Sequence, residues 1–152
     1  CKWPNDVLVS GKKIAGILLE SFTTKQIVSE QQWVAVGVGI NVDSAPEHVL
    51  FPATCLRTAG VELISAKIVL SRFVHHFIAR YDQWVDAGFA PLRKAWQDKA
   101  YQINQPIEVI VGEDRLSGTF AGIDDEGQLL LRDKKKQTQA ILAGDVFYAE
   151  QA

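Results

Sequence analysis

Methionine is missing from this chain altogether, and cysteine is nearly so, with Cys1 and Cys55 the two present. Two cysteines build neither a disulfide framework nor a metal-ligand cluster, and they suit a reducing, cytoplasmic setting. His75 and His76 stand in a helical stretch with no cysteine or third histidine nearby, so no metal centre is expected there. No apolar run approaches the ~20 residues of a membrane span. Charge is sparse too: charged residues make up 22% and the net charge is -2. That excludes the basic face on which non-specific nucleic-acid binding depends. The lone basic run, Lys134-Lys135-Lys136, reads as a solvated hairpin turn. Glycine signatures for nucleotides are missing as well. Gly37-x-Gly39 has no third glycine, no helix opening after it and no acidic residue about twenty positions on. Nor is there a Gly-x-x-x-x-Gly-Lys-Ser/Thr loop, so any ATP binds by another scheme.

What is present is a hydrophobic content of 47% in 152 residues, enough to bury a core in one or two domains. The densest chemistry lies in residues 2–20. Trp3-Pro4-Asn5-Asp6 reads as a rigid turn, since proline fixes its own φ and biases its predecessor towards extended geometry. Val7 to Val9 form a short apolar strand, Ser10-Gly11 turns the chain, and Lys13 to Glu20 returns. Ile14, Ile17, Leu18 and Leu19 around Ala15 and Gly16 predict a strand buried on both faces. Lys2, Asp6 and Lys13 then stand near the ends of one hairpin.

Further strands are predicted near 26–29 and 32–42, followed by a loop from Val42 to Gly60 whose length marks it as a candidate lid, with Phe51 a possible contact. From Ser65, an N-cap, apolar residues at helical spacing predict a helix of about twenty residues ended by Gly88. Pro91 starts a second helix running through Leu92, Ala95 and Trp96 towards Tyr101. The aromatics of both helices are expected in the core. Beyond Asn104-Gln105-Pro106 the helical period stops. Short alternating segments at 107–111, 116–123, 128–132, 137–142 and 145–149 predict a small, strongly bent barrel.

Lys2-Trp3-Pro4-Asn5-Asp6, followed seven residues after Asp6 by Lys13-Ile14-Ala15-Gly16-Ile17-Leu18-Leu19-Glu20, resembles the catalytic domain of bacterial biotin protein ligases. The likeness continues through Val36-Gly37-Val38-Gly39-Ile40-Asn41 to the C-terminus. It implies an α/β (α+β) fold: residues 1–103 as the C-terminal half of a class II synthetase-like biotin/lipoate ligase catalytic domain, and 104–152 as an SH3-like barrel. The activity implied is ATP-dependent conversion of biotin to biotinyl-5'-adenylate, then transfer of biotin to a lysine of the biotin carboxyl carrier protein of acetyl-CoA carboxylase.

The resemblance also implies the site. Lys13 is the expected catalytic cation, held towards the biotin carboxyl and the α-phosphate. Lys2, Asn5, Asp6, Ala15, Gly16, Gly39 and Asn41 are the expected biotin- and adenylate-binding residues. Asp6 either orients a lysine or holds the Mg²⁺ that travels with ATP. In the family a Gly-Arg-rich loop closes over biotin upstream of the Lys-Trp-Pro-Asn-Asp turn, and the loop corresponding to 42–60 orders over the adenylate. The chain starts at Cys1 without methionine and without that Gly-Arg segment, so it is expected to begin partway through a longer protein and to be incomplete for activity alone. Edge-to-edge homodimers occur in the family. DNA binding is expected only where an upstream helix-turn-helix domain exists. Two other readings stand beside this one: a lipoate or octanoate ligase, and a non-catalytic fragment that binds through the barrel.

Overall fold

Val9 and Lys12 face each other across Ser10 and Gly11, which take φ values of 50° and 75°. Positive φ at both central residues gives a two-residue hairpin the twist of its strands, and glycine adopts it without steric cost. β1 (Asp6–Val9) and β2 (Lys12–Lys25) pair antiparallel through this turn, and β3 (Glu30–Ile40) pairs antiparallel with the other edge of β2. The strand order is β1-β2-β3. The computed structural model describes residues 1–25, 30–49, 51–62 and 64–148, so the candidate strand at 26–29 lies outside the described residues.

The register of β1 on β2 breaks once. Val7 faces Ala15 but Leu8 faces Lys13, leaving Ile14 as the extra residue of a bulge. Such an insertion bends the strand and redirects its side chains. Burial of β2 on both faces is not what the structure shows. Ile14 and Ala15 are buried, whereas Leu18 and Leu19 are 62% and 63% exposed. The inner end of β2 is covered because the chain returns to it: Lys13 N donates to Pro52 O at 2.8 Å and Thr54 N to Lys13 O at 2.9 Å. Farther along the hairpin only neighbouring strands flank β2, and the described part of Asn5–Leu63 contains no helix to lie over them.

α1 (Ala66–Ala87) starts where Ser65 Oγ accepts from Ile68 N and stops at Gly88, whose N–H donates to Trp84 O. α2 (Ala90–Gln97) has Pro91 in its first turn. It ends earlier than its apolar spacing predicts, because the following residues bond locally and to the N-terminal segment: Ala100 N to Gln97 O, and Tyr101 N to Cys1 O at 2.7 Å. Gln102 and Asn104, with φ of 50° and 64°, complete that turn. The aromatic ladder Phe73, Phe77, Tyr81 and Trp84 was expected in the core. Its rings do meet along the helix, Phe73–Phe77 and Phe77–Tyr81 stacked and Tyr81–Trp84 edge-to-face, but no residue of α1 is buried. α1 packs on α2, which covers too little of that face to bury it.

β4 (Pro106–Val111), β5 (Asp114–Ile123), β6 (Leu129–Arg132), β7 (Thr138–Ile141) and β8 (Asp145–Tyr148) form an antiparallel sheet in the order β7-β6-β5-β4-β8. Alternation places Ile107 and Val109 of β4, Leu129 and Leu131 of β6, and Val146 and Tyr148 of β8 inside, around Phe120. Trp3 joins this core at 4% exposure, its indole Nε1–H donating to Gly127 O at 3.1 Å. The motif's tryptophan is therefore a core residue of the small β domain. The lysine run lies in the β6–β7 turn, where Asp133 Oδ1 accepts from Lys135 N and Gln137 N. By compactness the chain divides into Asn5–Leu63 and a second unit of Cys1–Pro4 with Ile64–Ala152.

The Tyr148 hydroxyl is buried with no hydrogen-bond partner among the described residues, and burial pushes its phenol pKa up, with Tyr101 adding to the effect. A desolvated, unbonded hydroxyl contributes nothing favourable to folding. Tyr148→Phe is expected to leave stability unchanged or raise it by up to about 1 kcal/mol in urea unfolding. A loss larger than that would contradict this description of the core.

Candidate adenylate-binding site

Asp6 sits directly across from Gly16 in the β1–β2 register, so the carboxylate and the bare α-carbon share one face of the sheet. In a regular strand Lys13, three residues before Gly16, would point to the opposite face. The bulge at Ile14 restores it to the same side, and Lys13 Nζ reaches Asp6 Oδ1 at 2.6 Å. Asp6 is largely sheltered, with a side chain 12% exposed, while Lys13 is 41% exposed. The carboxylate thus anchors a cation whose outer side remains open to a ligand. Gly16 leaves room for this pair: a Cβ there would lie 3.2 Å from both Lys13 Cε and Nζ, and the lysine would have to shift by a few tenths of an ångström.

Lys13, Ala15 and Gly16 of β2 line a cavity of about 490 Å³ together with Gly39 and Ile40 of β3, Asn41, Pro46, Val49, Phe51 and Ala53. Gly16 and Gly39 are register partners, so two adjacent positions of the cavity wall carry no side chain. Backbone can approach a ligand closely there. Asn41 is fixed three ways: its N–H donates to Ile14 O at 2.8 Å, its carbonyl accepts from Leu56 N at 3.0 Å, and its Nδ2 donates to Thr54 O at 2.9 Å. The side chain also carries an acceptor, Oδ1, and a second amide hydrogen. The result is a cavity with one charged end and mostly apolar walls, a chemistry suited to an anion joined to flat or apolar groups.

Of the residues expected in the site, the structure brings Lys13, Ala15, Gly16, Gly39 and Asn41 to the cavity, with Asp6 bonded to Lys13. Asn5 is not in its lining. Its amide donates to Ile17 O at 2.7 Å and its carbonyl accepts from Ile17 N at 2.9 Å, tying the turn to β2. Lys2 is buried in the other compact unit. Sequence reading singled out Phe51 but not Ile40, Pro46, Val49 or Ala53. The Lys13–Ala53 bridge that brings these to the cavity joins positions far apart in sequence and leaves no local trace. Cys55 is buried with its Sγ 3.2 Å from Thr58 Oγ1, and both cysteines are free thiols. Among the described residues no three His, Cys, Asp or Glu side chains gather as a metal site.

An alanine at position 39 would meet nothing within 4 Å, so the fold tolerates it. Its methyl would enter the cavity. Gly39→Ala is expected to keep the wild-type thermal midpoint while weakening the cavity's ligand about tenfold, the scale of one misplaced methyl group in a fitted pocket. Unchanged affinity in a calorimetric titration would remove Gly39 from the binding wall.

Residues 1–98 match the biotin/lipoate A/B protein ligase family and residues 103–148 match the biotin protein ligase C-terminal domain. The chain belongs to the biotin/lipoate protein ligase family. Its C-terminal match and its relatives narrow this to the bacterial biotin protein ligases. A biotin–[acetyl-CoA-carboxylase] ligase of Paracoccus denitrificans is 39% identical, over 97% of this chain and 62% of the relative. One from Mycobacterium tuberculosis is 36% identical, over 97% of this chain and 52% of the relative. The Aquifex aeolicus biotin protein ligase, solved in complex with biotin and ATP, superposes with a TM-score of 0.77 at 25% identity, covering 97% of this chain and 60% of that one. The chain thus spans somewhat over half the length of these relatives. No helix among the described residues is long and apolar enough to cross a membrane.

Proposed function

We propose that this chain contributes one wall of the active site of a cytoplasmic biotin protein ligase, which forms biotinyl-5'-adenylate from biotin and ATP and passes biotin to a lysine of a carboxyl carrier protein. The observation that carries this reading is the Lys13 ammonium, held by Asp6 over a glycine wall at the charged end of the cavity. In the first step a biotin carboxylate oxygen attacks the α-phosphorus and pyrophosphate leaves. In the second, the carrier's lysine amine attacks the acyl carbon and AMP leaves. Both steps build negative charge, on the phosphoryl oxygens and then on the acyl oxygen. A cation fixed in advance stabilises that charge without reorganising as it forms.

In this reading Lys13 is the charge-stabilising group and not a nucleophile. Asp6 orients it. Ala15, Gly16 and Gly39 let the adenylate lie against backbone, and Asn41 supplies a hydrogen-bonding amide. Asn5 supports the site through Ile17, and Lys2 is proposed as a second cation towards the phosphates. Mg²⁺ would arrive with ATP. One Asp6 oxygen is already paired with an ammonium, which favours orientation of Lys13 over the metal role. Residues 1–103 are the catalytic portion and 104–152 the appended small domain. That appended domain and the Trp3-Pro4-Asn5-Asp6 turn favour biotin over lipoate or octanoate as substrate.

The deciding experiment uses the full-length ligase carrying this chain and follows isotope exchange between pyrophosphate and ATP. Exchange that requires biotin, and is not supported by lipoate or octanoate, is the expected result. Exchange driven by lipoate would move the chain to the other branch of its family, and no exchange with any acid would leave the non-catalytic reading.

A further inference from the structure

The small β domain presents an exposed strand edge beside the basic run of the chain, and the adenylate cavity uses neither. β7 is an end strand of the order β7-β6-β5-β4-β8, so among the described residues its outer row of N–H and C=O groups pairs with no strand. Thr138, Gln139 and Ala140 are exposed along it, while Ile141 is buried. Residues 132–136, which lead into β7, hold four cations and one carboxylate in a chain whose net charge is -2. That carboxylate, Asp133, is engaged by the backbone of the turn through Lys135 N and Gln137 N. Arg132, Lys134, Lys135 and Lys136 enter no ion pair among the described residues. Beside the edge lies a cavity of about 330 Å³, lined by Arg115 and Ser117 of β5, Leu131 of β6, and Gln137, Thr138 and Gln139 at β7. Gln139 faces the buried Leu131 across the β6–β7 register, so an exposed amide stands on the core-facing side of the edge strand.

We propose that β7 and the basic β6–β7 turn form a docking edge for an extended acidic segment of a protein partner, which adds to the sheet as a further strand. Main-chain hydrogen bonds give an added strand its affinity, and pockets for its alternate side chains give it selectivity. Both parts are in place. The edge is open among the described residues, and the Ser117 hydroxyl and the Gln137 and Gln139 amides of the cavity can hydrogen-bond side chains that dip into it. The turn sets the sign of charge that is taken. Arg115 is already 2.8 Å from Glu108, so selection falls to Lys134, Lys135 and Lys136, which attract carboxylates and repel a basic segment. Lysines on an exposed edge also deter indiscriminate pairing, which leaves an acidic strand as the fitting occupant. A nucleic acid would meet the lysines but has no strand to pair with the edge. The whole surface lies within one compact unit and does not depend on the adenylate reading.

The test uses the full-length ligase and a fluorescent eight-residue peptide that alternates glutamate with threonine, followed by anisotropy. Three further probes accompany it: the same peptide with lysine for glutamate, a copy N-methylated at every backbone amide, and a short duplex DNA. The acidic peptide is expected to bind at least about tenfold tighter than the lysine peptide, and the N-methylated copy, which keeps the charges and loses the strand pairing, is expected not to bind. Lys134→Glu with Lys135→Glu is expected to weaken the acidic peptide about five- to twentyfold and to strengthen the lysine peptide, at an unchanged thermal midpoint. Lys136, whose φ is 65°, is left in place so that the turn is not disturbed. Lys134→Gln with Lys135→Gln, which adds no negative charge beside Asp133, is expected to fall between the two. No binding of the acidic peptide would overturn the proposal and leave the lysines as a guard on the edge. Equal binding of the N-methylated copy, or duplex DNA displacing the acidic peptide while itself losing affinity in the Lys134→Glu, Lys135→Glu variant, would overturn it in favour of charge attraction alone. The pyrophosphate exchange of Lys13→Ala reads the adenylate site separately, so either conclusion can fail without the other.

Discussion

Lys13→Ala in the full-length ligase is expected to lower biotinyl-adenylate formation by about 10²- to 10³-fold, the usual loss when one preorganised charge-stabilising group is removed. The size of the effect follows from how the ammonium is held. Asp6, itself mostly sheltered, lies 2.6 Å from Nζ, and Gly16 leaves room for Lys13 to lie along the sheet. A lysine free in solvent would spend part of its interaction energy on ordering its own side chain; this one has been ordered in the folded state. Because the side chain is 41% exposed, its loss opens no cavity in a core. It does leave the Asp6 carboxylate without its partner, so Lys13→Ala combined with Asp6→Asn separates a stability effect from a catalytic one. Pyrophosphate exchange measures the outcome in both variants. Near-normal exchange in Lys13→Ala would remove Lys13 from the mechanism.

The second large effect is on stability. Phe120 is 1% exposed at the centre of the small β domain, with its ring edge-to-face on Trp96 at 6.3 Å. Truncation to alanine removes the apolar area that the ring buries and leaves a cavity that five short strands cannot collapse to fill. The expected cost is about 3–5 kcal/mol. Whole domains are stable by only about 5–15 kcal/mol, so this variant approaches or crosses the unfolding threshold of its domain. Urea unfolding followed by tryptophan fluorescence reports it, because Trp96 and Trp3 both pack in or against that core. A shift below about 1 kcal/mol would contradict the placement of Phe120 at the centre of the core.

Local signals in the sequence led to the right local structures. Ser65, Gly88 and Pro91 mark helix ends because capping is a property of a few adjacent residues, and the turns of the small β domain were legible for the same reason. Burial was not legible in this way. Leu18 and Leu19 read as core by composition, yet burial depends on whether another layer arrives, and that is decided far away in sequence. The aromatic face of α1 misled for the same reason. Within the site, glycines at positions 16 and 39 and the lysine at 13 stood out because a motif groups them. Two things stayed hidden: the bulge at Ile14 that turns Lys13 onto the Asp6 face, and the return of Ala53 to Lys13. Trp3, three residues from Asp6, belongs to the core of a different unit, a separation that adjacency in sequence conceals.

The central claim is that the ammonium held by Asp6 is the group that meets the adenylate. A crystal structure of the full-length ligase with a non-hydrolysable biotinyl-adenylate tests it most directly. The account predicts Lys13 Nζ at a charge-assisted hydrogen-bond distance of about 2.7–2.9 Å from the group replacing the phosphate, still touching Asp6, with Gly16, Gly39 and Asn41 against the ligand. A ligand bound away from this cavity, or one that leaves Lys13 bonded to Asp6 alone, would contradict it.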